Sequence, residues 1–425
     1  MKTKSHTSGS PYARSYVPPG GHRNRIKRTL AWIVSAVLLT GLLAFTILFV
    51  WAFESRNMPA LEIWHTASLS TEFTARDATS KSTLQEYLDQ EERLFLELEE
   101  NIYDRVAPTE DLKFNRYRAG GPQDPGSWKT NWNRTFELVP EDIQGGALLL
   151  HGLTDSPYSL RKIGEILHAR GFYVLGLRLP AHGTIPSALT KVHWEDWVAA
   201  SRIGARHVRE RIGPGRPFMI AGYSNGGALA VKYSLDALSD PGLPRPDRLL
   251  LFSPEIGISS FAFIANSHKL LSFLPYFAKF KWISIEPEYD PFKYNSFPKN
   301  AAQQAYKITK MLQDQVEEAR AAGRFADFPP ILTFLSWIDA TVDTSATIHR
   351  LYGQLENEGS ELVVFDVNRS AQLEPFLPAA KRAPLVRFEA QSNLPYRLTI
   401  ITNVDRSSNR MFQRTKAPRW SGLVS

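Results

Sequence analysis

The sequence contains no cysteine among its 425 residues. This absence excludes disulfides, thiolate metal sites and a cysteine nucleophile. Hydrophobic residues make up 43% of the chain and charged residues 22%. That balance is typical of globular proteins, so wholesale disorder and collagen-like architectures are excluded as well.

Acidic residues are missing from residues 1–29, a stretch that holds seven lysines and arginines. The formal net charge of the whole chain is +7, so this basic tail accounts for the entire excess and the rest of the chain is neutral. A nucleic-acid-binding protein usually concentrates positive charge on a folded surface. We therefore predict that the protein has no nucleic-acid partner.

Charged residues are also missing from residues 30–53, which carry Trp32 and Trp51 near their two ends. About 20 apolar residues suffice to cross a bilayer, and the segment exceeds the apolar core of roughly 7–15 residues of a cleaved signal peptide. We predict a single transmembrane helix rather than a signal peptide or a buried core helix. Because basic flanks stay in the cytoplasm, the expected location is the inner membrane, with residues 54–425 on its outer, periplasmic side.

The rest of the chain divides into two predicted parts. Residues 54–110 are predicted to comprise a polar linker, up to about residue 80, and an acidic amphipathic helix within residues 82–106. The Asp and Glu side chains of that helix are expected to form a solvated face. Residues 111–425 are predicted to form one α/β domain, interrupted by an insertion at about residues 255–329.

Short apolar runs alternate with helical patterns through this second part. Runs typical of buried parallel strands begin at Ala147, Phe172, Phe218, Arg248, Pro330, Leu362 and Arg397. Helical patterns lie at residues 157–170, from about residue 194, and at residues 228–238. Strands that alternate with helices indicate a mostly parallel sheet with helices on both faces.

The sequence Gly222-x-Ser224-x-Gly226 connects one of these strands to a helix. Glycines allow the backbone to turn sharply, so the serine is expected to lie on a strained corner at the carboxyl edge of the sheet. Its oxygen would then lie at a helix N-terminus, where amide groups stabilise developing negative charge. The alternative is a serine that serves only the turn.

Four segments together resemble the α/β-hydrolase fold, and within it the bacterial carboxylesterase and monoacylglycerol-lipase-like group, also labelled serine aminopeptidase-like. They are Leu150-His151-Gly152-Leu153-Thr154, Leu179-Pro180-Ala181-His182-Gly183-Thr184, Trp194-Glu195-Asp196-Trp197 and Gly222-Tyr223-Ser224-Asn225-Gly226-Gly227. The resemblance is strong over residues 145–255 and looser elsewhere. It implies a serine hydrolase that cleaves small-molecule carboxylic esters, including lipid-like acyl esters, with no metal or organic cofactor.

The same resemblance assigns roles to individual residues. Ser224 would be the nucleophile, and the backbone amides of Leu153 and Asn225 would form the oxyanion hole. His151 and His182 resemble histidines that shape loops in this group rather than transfer protons.

The resemblance also places the acid of the catalytic triad after the strand that begins at Pro330. Asp339 matches this position, and Asp343 is the alternative. The competing interpretation, a helix N-cap, suits Asp343 better than Asp339.

A histidine is missing where the family carries its catalytic base. Chain order in this fold is serine, acid, histidine, and His349 is the only histidine after Asp339. Three explanations are open: a lost C-terminal segment, a catalytically inactive fold that serves as a binding module, or a His349 that reaches the serine from an unusual direction. The predicted function is a membrane-anchored ester hydrolase with an acyl-enzyme intermediate, and the binding module is the alternative.

Aromatic residues are frequent in the predicted insertion. They include Phe261, Phe263, Phe273, Phe277, Phe280 and Trp282. The segment is expected to be either a lid that lines an acyl pocket or a cap with a small core of its own.

Overall fold

A computed structural model describes residues 21–79, 81–257, 275–339, 342–356, 358–367, 393–404 and 410–418. The chain divides after Met58 into two compact units. The described part of the first unit is the helix α1, Gly21–Asn57. Within it, Arg25–Asn57 is long and apolar enough to span a membrane. Its apolar side chains are exposed, with Trp32 78% accessible, so α1 is not the buried core helix considered as an alternative.

The second unit begins at Pro59. Its helices are α2 Ile63–Thr66, α3 Leu84–Asn101, α4 Arg161–His168, α5 Trp194–Ile212, α6 Asn225–Ser239, α7 Lys299–Ala321 and α8 Thr344–Ala346. Its strands are β1 Phe136–Leu138, β2 Gly145–Leu150, β3 Phe172–Leu177, β4 Phe218–Tyr223, β5 Arg248–Phe252, β6 Trp282–Ser284, β7 Phe297–Pro298, β8 Ile331–Ser336, β9 Glu361–Asp366, β10 Arg397–Asn403 and β11 Met411–Lys416. Short 3-10 turns connect several of these elements, and Thr347–Leu351 forms a π-helical turn.

Nine strands form one sheet in the order β1-β3-β2-β4-β5-β8-β9-β10-β11. Every neighbouring pair from β3 to β10 is parallel, whereas β1 and β11 are antiparallel strands at the two edges. The predicted α/β fold with a mostly parallel sheet is therefore confirmed. The strands are apolar because helices cover the sheet, and Leu148, Leu175 and Ile220 are fully buried.

Strand register places the candidate site at one edge of the sheet. Leu150 of β2 pairs with both Leu177 of β3 and Gly222 of β4, and Tyr223 pairs with Phe252 of β5. Parallel strands in this register end side by side. The loops that follow β2, β3, β4 and β5 therefore meet at the carboxyl edge, which is where ligands bind in open α/β sheets.

The predicted acidic helix is α3. Thr83 caps its N-terminus in a capping box with Glu86, and its apolar face buries Leu84 and Leu94. The expectation that all its acidic residues face solvent is wrong for Glu91, which is 4% exposed. Glu91 is buried because its Oε2 accepts a hydrogen bond from Nε of Arg178 at 3.0 Å.

The segment before α3 was expected to be a polar linker, but its described part is packed. Trp64 and Phe73 are buried, and Phe73 belongs to the same apolar cluster as the central strands. Glu72 accepts two hydrogen bonds from the fully buried guanidinium of Arg178, at 2.9 and 3.1 Å. A buried ion network of Glu72, Glu91 and Arg178 thus joins this segment and α3 to the end of β3.

Candidate active site

Ser224 lies on the sharp turn between β4 and α6. Its φ and ψ are 52° and −116°, a conformation that non-glycine residues adopt only when the surroundings enforce it. Backbone hydrogen bonds hold Ser224 in this conformation. Its N–H donates to Phe252 O at 2.9 Å, and its carbonyl accepts from Gly227 N and Glu255 N at 2.9 and 3.0 Å. Among the described residues, its hydroxyl has no hydrogen-bond partner.

The two glycines of the motif are required by close backbone contacts. A Cβ on Gly226 would lie 1.9 Å from the carbonyl oxygen of Leu150, and one on Gly222 would lie 2.4 Å from the carbonyl oxygen of Gly226. Neither contact is compatible with a side chain. The pattern of glycine on both sides of Ser224 therefore follows from how tightly the turn packs against β2.

Two backbone amides flank the Ser224 turn with free hydrogens. Asn225 is the first residue of α6, so its N–H has no acceptor within the helix. Leu153 lies in the turn after β2, where Thr154 adopts a left-handed φ of 66°. In the described part of the chain neither amide donates a hydrogen bond, which suits the oxyanion role predicted for both.

His151 and His182 are buried in the loops beside this turn. Nε2 of His151 accepts from Leu179 N at 3.0 Å, which leaves its Nδ1–H to donate to Gly152 O at 2.9 Å. Nδ1–H of His182 donates to Pro180 O at 2.9 Å. Burial lowers the pKa of His182 to about 4. Both rings hold loop backbone in place, as expected of residues that shape loops.

Asp339 and Asp343 occupy different environments. Asp339 lies three residues beyond β8, is half-buried, and accepts from Val342 N at 2.9 Å. Asp339 also acts on Tyr223, the residue before Ser224. The pKa of Tyr223 is raised chiefly by burial, and further by the negative charges of Asp155 and Asp339. Asp343 is exposed and caps α8 by accepting from Ala346 N at 3.2 Å. Asp343 thus serves as the helix cap that was its competing interpretation, and Asp339 stays the predicted acid.

Within the described residues, His349 forms no hydrogen bond with Ser224. It lies exposed on the π-helical turn and lines a cleft against α7, and Ser224 is not among the residues that line that cleft. The loop after β9, where the family carries its histidine, falls at residues 368–392 and lies outside the described residues. No imidazole of the described part hydrogen-bonds Ser224.

Two buried acids near the turn were missed by the sequence analysis. Asp155 follows Thr154, and burial, opposed by Lys293 at 3.8 Å, raises its pKa to about 6. Glu255 follows β5 by three residues, and burial raises its pKa to about 7. Its Oε2 lacks a partner among the described residues. The available signal was position, since Asp155 and Glu255 lie five and three residues beyond the carboxyl ends of β2 and β5.

The raised pKa of Glu255 predicts how stability depends on pH. In the unfolded state the pKa of this carboxyl has its ordinary value of 4.5, whereas in the folded state it is about 7. Between these two pH values the folded protein keeps the carboxyl protonated and the unfolded chain has released the proton. Stability contributed by this group therefore falls as the pH rises from about 4.5 to 7. We expect Glu255→Gln to remove this loss, so that the variant gains up to about 3 kcal/mol over wild type between about pH 4 and pH 8.

Urea unfolding at the two pH values measures this gain. Glu195→Gln, on the exposed first turn of α5, is the control and is expected to leave the pH dependence unchanged. A Glu255→Gln variant whose stability differs from wild type by the same amount at both pH values would contradict the assignment.

The described part of the insertion buries three aromatic residues, Phe277, Phe280 and Trp282. The rings of Phe277 and Phe280 stack on each other at 5.5 Å, whereas Trp282 meets His65, outside the insertion, edge-on at 4.9 Å. The stacked pair suits a cap with a core of its own, and Trp282 packs against the rest of the unit. Phe261, Phe263 and Phe273 lie outside the described residues, so the lid remains a prediction. Within the described residues, no three His, Asp or Glu side chains form a metal site.

Comparisons with known proteins match the chain to the alpha/beta hydrolase family. The profile of the Alpha/beta hydrolase family matches residues 147–422. A thermostable monoacylglycerol lipase of Bacillus sp. (strain H-257) is 33% identical over 86 residues, which are 20% of this chain and 33% of the lipase. The match thus spans about a third of that relative's length.

Solved structures resemble the fold at low sequence identity. One, from work on two metagenome-derived lipolytic enzymes, is 21% identical and covers 55% of this chain and 87% of its own, with a TM-score of 0.42. The monoacylglycerol lipase of Paleococcus ferrophilus is 17% identical and covers 54% of this chain and 87% of its own, with a TM-score of 0.40.

Proposed function

This chain belongs to the alpha/beta hydrolase family, and from that premise we propose that it hydrolyses carboxylic esters with Ser224 as nucleophile. The observation that carries the proposal is the strained Ser224 corner, with φ at 52°, at which the Ser224 hydroxyl and the amides of Leu153 and Asn225 have no hydrogen-bond partner among the described residues. Proteins store strain of this kind where the surrounding structure positions a reactive group.

The proposed reaction proceeds in two steps. Ser224 Oγ attacks the ester carbonyl carbon, its proton passes to a base, and the carbonyl oxygen becomes an oxyanion held by the amides of Leu153 and Asn225. The alcohol leaves with a proton, and water then hydrolyses the acyl-serine to release the carboxylic acid. Asp339 would orient the imidazole that serves as base.

The substrate is proposed to be a small-molecule ester, including lipid-like acyl esters. Support comes from the curated relative, which is described as a monoacylglycerol lipase. We propose further that α1 anchors the enzyme in the inner membrane, with the basic tail in the cytoplasm and the α/β unit on the outer side. The support is the apolar span Arg25–Asn57, whose most apolar stretch has no buried residue.

A second candidate function is a binding module that has lost catalysis. The observation that favours it is the absence, within the described residues, of an imidazole against Ser224. A serine hydroxyl without a base is a weak nucleophile. The two functions differ in one property, namely the covalent reactivity of Ser224.

Labelling with a fluorophosphonate probe tests that reactivity directly. We expect the full-length protein in detergent micelles to take up one probe per chain, with the modified peptide containing Ser224. Ser224→Ala is expected to remain unlabelled, and Ser239→Ala, at the other end of α6, to label like wild type. A folded wild-type protein that is not labelled would support the binding module instead.

A further inference from the structure

The insertion contacts the turn that carries the Leu153 amide. The backbone N–H of Tyr294 donates to the carbonyl of Thr154 at 2.9 Å. Two residues before Tyr294, the ring of Phe292 stacks on Tyr158 with the ring centroids 4.2 Å apart. This part of the insertion therefore packs directly on the loop that follows β2.

Two peptide groups connect the Tyr294 contact to the Leu153 amide. The first, between Thr154 and Asp155, accepts the Tyr294 bond at its carbonyl, and its own N–H donates to the carbonyl of Gly152 at 3.2 Å. The second peptide group joins Gly152 to Leu153, so it has the Gly152 carbonyl at one end and the Leu153 N–H at the other. The described peptide bonds are all trans and a trans peptide is planar. A hydrogen bond that fixes the carbonyl therefore fixes the direction of the N–H as well.

The side chain of Tyr294 is anchored in the loop that follows β3. Its hydroxyl accepts from Thr184 N at 2.7 Å and donates to Ala181 O at 3.2 Å. The residue is 2% exposed, and burial is the chief cause that raises the pKa of its phenol, so the hydroxyl keeps the proton that it donates. The phenol thus holds the Tyr294 backbone between the loops after β2 and β3.

We propose that Tyr294 is a positioning residue of the oxyanion hole, which fixes the direction of the Leu153 amide through these two peptide groups. The inference rests on the proposed function, since it requires Leu153 to act as an oxyanion donor. A second donor acts on the same peptide, because Nδ1–H of His151 also bonds Gly152 O at 2.9 Å. Loss of the Tyr294 anchor should therefore misalign the amide without removing it, and cost less than the roughly 10²- to 10³-fold effect of losing a whole oxyanion donor.

The variant Tyr294→Phe removes the anchoring hydroxyl and keeps the ring. For hydrolysis of a short-chain ester by the full-length protein in detergent micelles, we expect kcat per active site to fall about tenfold. KM should change little, because the oxyanion forms only after the substrate has bound. Active sites are counted by complete labelling with the fluorophosphonate probe, so that unfolded protein does not contribute to the loss.

Tyr289→Phe is the matched control, because it is the same replacement on the same segment but Tyr289 is 58% exposed. We expect this variant to keep the wild-type kcat and KM. A Tyr294→Phe variant with the wild-type kcat, or one that changes KM alone, would contradict the positioning role.

A measurement on the Leu153 amide separates this inference from the proposed function. In full-length protein labelled with ¹⁵N-leucine, the Leu153 amide resonance is identified by its disappearance in Leu153→Ile. We expect it to shift in Tyr294→Phe and to stay in place in Tyr289→Phe. If the wild-type protein hydrolyses no ester, the proposed function fails, whereas this resonance still tests the link from Tyr294 to Leu153. An unshifted resonance in Tyr294→Phe would overturn the inference even in an active enzyme.

Discussion

Replacing Ser224 with alanine is expected to lower kcat/KM for hydrolysis of a short-chain ester by about 10⁴- to 10⁶-fold, as in other serine hydrolases that lose their nucleophile. The alanine side chain cannot form the acyl-enzyme. The backbone of the turn is fixed by hydrogen bonds of the main chain to Phe252, Gly227 and Glu255, which the replacement leaves in place. The variant should therefore fold normally while losing the reaction.

The rate measurement needs a control for general damage. Ser239→Ala removes a hydroxyl from the last turn of α6 and is expected to retain the wild-type rate. Equal stability of the Ser224→Ala variant and wild type in urea would exclude unfolding as the cause of any loss. A fall of less than about tenfold in Ser224→Ala would assign the hydrolysis to another group.

Replacing Arg178 with methionine is expected to destabilise the α/β unit by about 3–5 kcal/mol. The guanidinium is fully buried and bonds Glu72, Glu91 and the carbonyl of His182. Methionine fills similar space but leaves the buried carboxylate of Glu91 and the partly buried carboxylate of Glu72 without their shared cation. The free energy of unfolding in urea measures the loss.

Arg202→Met is the matched control, because its guanidinium also bonds an acid, Asp236, at 2.9 Å but is 39% exposed. Asp236 keeps its bond to Lys232 at 2.7 Å. We expect a loss below about 1 kcal/mol for this variant. A loss of similar size in both variants would contradict the special role assigned to the buried network.

The fold could be predicted because its signals are local. Each strand of the parallel sheet is a short apolar run, and the turn at Ser224 carries the glycines that its packing requires. The antiparallel edge strands β1 and β11 were not predicted, and one error of extent concerns α6, predicted from residue 228 but beginning at Asn225. Gly226 and Gly227 were interpreted as part of the turn, although helical backbone also tolerates them when a sheet packs closely against it.

The residues that the sequence analysis missed are those whose burial or pKa depends on residues far away in the chain. Glu91 has the appearance of a solvated helix residue, but its buried carboxylate is held by Thr135 and Arg178, which lie 44 and 87 positions further along the chain. Glu255 and Asp155 are common acids in sequence, and their perturbed pKa values arise from burial by surrounding elements. Helical and strand periodicity contains no information on such pairings, because they are set by how the strands assemble.

The buried ion network also constrains the order in which the chain can fold. Glu72 leaves a ribosome long before Arg178, which is 106 residues further along, and α3 cannot bury Glu91 until that arginine has arrived. Packing of the segment that follows α1 must therefore wait for synthesis of β3 and its neighbours in the sheet. Contacts between such distant residues slow folding, because a long loop must close before they form. The segment after α1, together with α3, is in this sense a late element of the native structure of the α/β unit.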